Sequence, residues 1–247
     1  MHLAIFVFPR LWELLDLANA KKRIVGSNNI NMPWMEQLQS ANWSQASSIG
    51  LGAYGLGCIT TGYYLVLLWK GLDVRETGSG SVGAKNVGRL LGWPGFLLTV
   101  LGDVGKGSFA IWAARHFTTD ERIVALALVA VVMGHLWPVQ LVFRGGKGVA
   151  TSLGALMVYD HYLTVAFVIA FAIAFAVMRK TVLPALFAFM CLPLVSLYHY
   201  RDDSGKAFAL SVLAGLILVS HRKNVAEEFF HLVERRKLEP KHDRRKL

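Results

Sequence analysis

From residue 149 to residue 178 the chain runs for 30 residues with Asp160 and His161 as its only charged or imidazole side chains. A helix rises 1.5 Å per residue and needs about 20 apolar residues to cross the hydrocarbon core of a bilayer. A run of 30 is too long for one crossing and too apolar for the surface of a soluble domain. It reads as two shorter helices joined by a tight turn at Asp160 and His161. Comparable apolar runs occupy about 46–69, 93–114, 123–143, 181–200 and 207–220. The expected fold is therefore all-α, a polytopic transmembrane helix bundle of about seven spans. The fourth (about 149–159) and the seventh are too short to span unaided, so they cross obliquely or pack as half-helices. Residues 1–45 read as an N-terminal extension, 46–221 as the membrane domain and 222–247 as a basic tail.

Charge supports this and sets an orientation. Only 17% of residues are charged, against roughly 25% in soluble domains, while mean hydropathy is +0.44 and the formal net charge +10. The basic residues fall between apolar runs and not on one polar face, which argues for a membrane protein and against nucleic-acid binding. With cytoplasmic exit for odd-numbered spans, 17 Lys and Arg lie inside and four outside, the asymmetry that the positive-inside rule favours. The loops on that side are thereby expected on the cytoplasmic face of the membrane. Arg10, Lys21, Lys22 and Arg23 break the pattern. That stretch reads as an amphipathic helix at about 11–20 and an Asn/Ser-rich linker, either a surface-lying extension or a misassigned start. Residues 1–8 have no basic n-region or cleavage site, so no signal peptide is expected. Cys58 and Cys191 give no disulfide framework, no metal-ligand spacing is present, and no cofactor is expected.

Two glycine-rich basic loops share the predicted cytoplasmic side. The first runs from Gly78 through Ser79, Gly80, Ser81, Gly83 and Lys85 to Asn86 and Arg89. The second contains Arg144, Gly145, Gly146, Lys147 and Gly148 and leads to Thr151. Glycines let successive amides approach an anion, and a helix that follows adds free N–H groups. Gly78-x-Gly80-x-x-Gly83 matches a dinucleotide fingerprint by letter, but no strand precedes it. The plainer reading, flexible turns with positive-inside charge, explains the Lys and Arg but less of the Gly, Ser and Asn between them.

Asp103 and Lys106 lie one turn apart inside a span and can pair. Charges within the membrane face the bundle interior and are functional candidates, although a structural pair fits equally. His135 is either a hydrogen-bonded helix residue or a group near the site. His221 and Asn224 open the tail, as interfacial anchors or as reactive groups.

In this order and spacing the motifs resemble the bacterial acyl-phosphate-dependent glycerol-3-phosphate acyltransferase family. They are Gly57 to Thr60, Gly71 to Arg75, Gly78 to Asn86 with Arg89, Asp103 with Lys106 and Gly107, Gly134 with His135 and Pro138, Arg144 to Thr151, and His221 with Asn224. The resemblance covers about residues 50–233. It implies a seven-helix membrane enzyme that moves an acyl group from acyl phosphate to glycerol 3-phosphate, giving lysophosphatidate and phosphate, with membrane lipids as its surroundings. It implies Ser79, His221 and Asn224 at the reaction. Gly80, Ser81, Gly83, Asn86, Arg89, Arg144, Gly145, Gly146, Lys147 and Thr151 would bind substrate phosphates, with Asp103, Lys106 and His135 in support. Several positions depart from the family: Cys58 for Ser, Ser81 for Asn, Lys85 for Thr, and a serine-containing segment that here is Lys180 to Leu186. Two rival readings are an anion transporter, whose pathway the same loops would line, and a family member that has lost catalysis.

Overall fold

The computed structural model describes residues 42–201, 203–228 and 230. The extension, with the helix expected at 11–20, lies outside them, as does most of the tail. Eight helices follow in order: α1 (Trp43–Cys58), α2 (Thr61–Lys70), α3 (Ala84–Phe117), α4 (Glu121–Leu136), α5 (Val149–Tyr159), α6 (His161–Met178), α7 (Val182–His199) and α8 (Ser204–Ser220). A short α9 (Arg222–Glu228) follows α8 at a bend of 61°. No strand occurs among the described residues. Five segments are long and apolar enough to cross a membrane, and α8 with α9 makes a sixth if the bent pair is one span. Seven crossings are reached only by counting α5 as well.

Two predicted spans take a different form. The run 46–69 is not one helix: it breaks at Ile59 and Thr60, between α1 and α2. A break inside a bilayer frees carbonyls that water cannot satisfy, so other side chains must. Lys106 Nζ donates to the Ile59 carbonyl at 2.8 Å, and Gln140 Nε2 donates to the Cys58 carbonyl. The second span begins earlier than residue 93, because α3 starts at Ala84 and kinks at Gly92 (φ 69°, ψ −164°), two residues before Pro94. That backbone conformation is essentially open to glycine alone. Asn86 and Arg89 therefore stand on a helix, not in a loop.

Between apolar helices in lipid, close packing and hydrogen bonds hold neighbours together more than hydrophobicity does. Small residues make that approach possible. Gly107 of α3 lies against the Thr151 carbonyl and Gly154 of α5 against the Val104 carbonyl, while Gly57 of α1 and Gly134 of α4 face one another. Ser108 Oγ adds a hydrogen bond to the Gly154 carbonyl at 2.8 Å. The α4 segment is the most enclosed of the spans, at 61% buried, and α6 the least, at 17%. Thus α4 forms the centre and α6 faces lipid. Leu128, Leu156, Leu163, Phe189, Leu210 and Leu213 fill the interior.

Side-chain contacts sort the connections into two ends. At one end Gln45 reaches the Phe117 carbonyl, Arg115 the Tyr159 carbonyl and Lys206 the Asp160 carboxylate. At the other, the segment after α2, the loop after α4, the turn after α6 and α9 all meet. Among the described residues, the basic residues that the sequence groups on one side gather here. Eleven residues of α5 rise only about 16 Å, against about 27 Å for the 18 of α6. Both helices start from Asp160 at the far end.

Candidate active site

The first loop is held by two short-range devices. Asp73 caps the turn Val74–Glu76 and grips Arg75 through a salt bridge of 2.6 Å. The Arg75 guanidinium thereby keeps the Asp73 carboxyl below the usual carboxylate range. Arg75 also donates to the Leu141 carbonyl at 2.8 Å, which ties the first loop to the second. The other device is Asn86, buried at the start of α3. Its amide donates to the carbonyls of Val74, Thr77 and Ser81 at 2.9–3.0 Å, and its oxygen accepts from the Ser79 backbone at 3.1 Å. Every polar atom of Asn86 is engaged, so it shapes the loop and leaves no atom for a phosphate. Ser79 and Arg89 remain exposed, and the Arg89 guanidinium lies beside Gly78 and Asn86.

The loop amides differ from the sequence expectation. The N–H groups of Ser79, Gly80 and Gly83 bond to Asn86, Thr77 and Ser81, and those of Gly145 and Gly146 bond to the carbonyls of Leu136 and His135. An amide already paired within its turn is not free to cradle an anion. The glycines serve close approach instead: a Cβ on Gly146 would collide with the His135 ring. Thr151, in the first turn of α5, is wholly buried where its carbonyl meets Gly107 of α3.

Beneath the second loop the supporting trio does assemble. Asp103 and Lys106 pair at 2.9 Å, and Lys106 Nζ lies 2.7 Å from His135 Nδ1. Since an ammonium only donates, that nitrogen accepts. The trio connects the α1–α2 break, through Lys106, to the histidine on which Gly146 rests. It is a strut buried in the bundle, below the exposed cations.

Lys147 and the tail complete the site. Lys147 Nζ donates to Asn224 Oδ1, and the Ser220 hydroxyl holds the Lys147 carbonyl at 3.0 Å. Burial above all lowers the Lys147 ammonium below the usual lysine range; Glu227 opposes this and the Lys85 charge adds to it. His221 is buried at the α8–α9 bend, with Nδ1 2.9 Å from the Ile217 carbonyl. A carbonyl only accepts, so Nδ1 carries the proton and, in the neutral ring, Nε2 is left as a proton acceptor. Lys147, His221 and Asn224 are thus brought together as expected.

Sequence reasoning missed three features of the site. One is the Arg75 tether. Another is Gln140, which seals the helix break from the loop after α4. The third is the backbone of Val142 and Phe143, both with positive φ (54° and 57°) and both exposed just before Arg144. Left-handed geometry at a β-branched residue is strained, and such strain clusters at functional sites. No pattern of letters announces it. Among the described residues, no group of three His, Cys, Asp or Glu could hold a metal ion.

The family model for glycerol-3-phosphate acyltransferase matches residues 48–230, which include all of these side chains. The chain belongs to that family. A glycerol-3-phosphate acyltransferase of Desulfitobacterium hafniense is 46% identical over 187 residues, covering 76% of this chain and 92% of its own. One from Bordetella pertussis is 36% identical over 203 residues, covering 79% and 94%. Among solved structures, PlsY, an integral membrane glycerol 3-phosphate acyltransferase, is similar in its glycerol 3-phosphate form, with a TM-score of 0.68 at 32% identity. Its lysophosphatidic acid form gives 0.66. Each covers 75% of this chain and 92% of the solved one. The chain is thus an integral membrane acyltransferase of this family, and its all-helical bundle agrees with that of the solved structures.

Proposed function

We propose that this chain transfers a fatty acyl group from acyl phosphate to a hydroxyl of glycerol 3-phosphate, giving lysophosphatidate and inorganic phosphate. The reading places the site at the cytoplasmic face of the inner membrane. One observation carries it: Lys147, Asn224 and a histidine with a free acceptor nitrogen converge at the same end of the bundle as Ser79 and Arg89. Acyl phosphate is already activated, so no covalent nucleophile is needed. The protein has to orient a hydroxyl, neutralise two phosphates and accept a proton.

In this reading Arg89 and Lys147 bind phosphate, with Arg144 adding charge at the rim and Ser79 and Ser81 donating from the first loop. The glycerol hydroxyl oxygen attacks the acyl carbonyl carbon. The bond from that carbon to the phosphate oxygen breaks, and phosphate leaves with the electron pair. The hydroxyl proton passes to His221 Nε2, and Asn224 keeps Lys147 beside the reacting atoms. Asn86, Asp103, Lys106, His135 and the loop glycines position these groups. In a membrane bundle the acyl chain can stay in lipid while the polar head reaches the cations. The cluster of basic segments at one end supports a cytoplasmic face through the positive-inside bias.

Donor choice tests the proposal. Detergent-purified protein with labelled glycerol 3-phosphate is expected to form lysophosphatidate from palmitoyl phosphate and at least a hundredfold less from palmitoyl-CoA. Equal use of both donors, or use of the thioester alone, contradicts it.

A further inference from the structure

Lys85 takes no part in the chemistry assigned to Ser79, Arg89, Lys147 and His221, yet it stands among them. It lies in the first turn of α3, and its ammonium donates to the Thr181 hydroxyl in the turn between α6 and α7. Next to Thr181, Lys180 holds Glu228 of α9, one turn from the Asn224 that binds Lys147. No carboxylate pairs with Lys85 among the described residues, since Glu228 is held by Lys180. A lysine on a plain solvated surface turns away from other cations. This one, though exposed, is tied to a hydroxyl on the same side as the Lys147–Asn224 contact, an arrangement that a bound dianion would relieve.

The direction of Arg89 separates two places for anions. Lys85 and Arg89 are four residues apart, so they share one face of α3 and stand one turn apart, about 6 Å. Arg89 lies beside Gly78 in the first loop, whereas Lys85 reaches across to Thr181. The proposed reaction brings in two phosphates, one on each substrate.

We infer that Lys85 and Thr181, together with Lys147, hold the phosphate of the acyl donor and then the inorganic phosphate that leaves, apart from the Arg89–Ser79 position for glycerol 3-phosphate. This rests on the acyl-transfer reading. As the carbonyl carbon–oxygen bond breaks, its electron pair stays on the phosphate, which gains negative charge. A cation already in place stabilises that charge without rearrangement. Thr181 accepts from Lys85 and keeps its own proton for a phosphate oxygen. Both residues belong to segments where this chain departs from the family pattern, so the contact is a property of this chain and of relatives sharing both.

Calorimetric titration of the full-length purified protein with inorganic phosphate and, separately, with glycerol 3-phosphate tests the assignment. Lys85→Thr is expected to weaken phosphate binding about tenfold or more while glycerol 3-phosphate affinity stays within about twofold. Lys85→Arg should keep phosphate affinity within about threefold, and Thr181→Val should fall between the two. Unmeasurable phosphate binding by the wild type, an unchanged affinity in Lys85→Thr, or an equal loss for both ligands overturns the inference. The titration needs no turnover, so it is separable from its parent reading. A wild type that binds phosphate through Lys85 but transfers no acyl group would sink the acyl-transfer proposal alone.

Discussion

An ammonium half-sunk in a protein loop loses hydration that a surface lysine keeps, and gives up its proton more readily. Lys147 is in that position, with Lys85 pressing in the same direction and only Glu227 against it. Because the charge belongs to the protonated form, it is present at low pH and lost as pH rises through the lowered pKa. The alkaline limb of kcat/KM, which reports the free enzyme, is therefore expected below the ordinary lysine range. Lys147→Arg, with a guanidinium that stays charged, should move that limb outward. Lys147→Ala and Arg89→Ala should each cost on the order of 2–4 kcal/mol in kcat/KM, as for loss of a preorganised donor. That is roughly 30- to 900-fold. Wild-type turnover in both, measured as lysophosphatidate formed by correctly inserted protein, would leave those residues as topology signals only.

At the scale of elements, the second glycine loop is shaped by what lies under it. Gly146 rests on the His135 ring, His135 on Lys106, and Lys106 on both Asp103 and the carbonyl freed at the α1–α2 break. Gly146→Ala is expected to push the loop and Lys147 off this support. It should cost about 1–3 kcal/mol in stability, as overpacking does, and most of the activity. Gly52→Ala on α1 meets open space and should be neutral or slightly stabilising, since alanine favours helix. Thermal unfolding in detergent, with turnover of the folded fraction, compares the two; equal behaviour would contradict the support. Much of this architecture was legible as letters. The apolar runs located the crossings, Asp160 and His161 marked the α5–α6 turn, and the i, i+3 spacing of Asp103 and Lys106 gave their pair. The break at Ile59 and Thr60 was not legible, because apolar letters continue across it and its cause is a partner 47 residues away. Nor was the engagement of the loop amides, which depends on carbonyls of Leu136 and His135 that any sequence would supply.

For the whole molecule, the bundle gathers its basic connections at one end and joins them through Arg75–Leu141, Lys85–Thr181, Lys147–Asn224 and Lys180–Glu228. A transporter would need its broken helix to offer backbone groups to a pathway. Here both freed carbonyls, of Ile59 and Cys58, are taken by Lys106 and Gln140. The geometry favours chemistry at one face over passage between two. The central claim is that acyl phosphate is consumed there by a glycerol phosphate hydroxyl. The most direct measurement is the stoichiometry of products when purified protein, acyl phosphate and glycerol 3-phosphate are mixed. One inorganic phosphate is expected for each lysophosphatidate formed, with release dependent on glycerol 3-phosphate and nearly abolished in His221→Ala. Phosphate released at the full rate without glycerol 3-phosphate, or lysophosphatidate formed without phosphate, would contradict it.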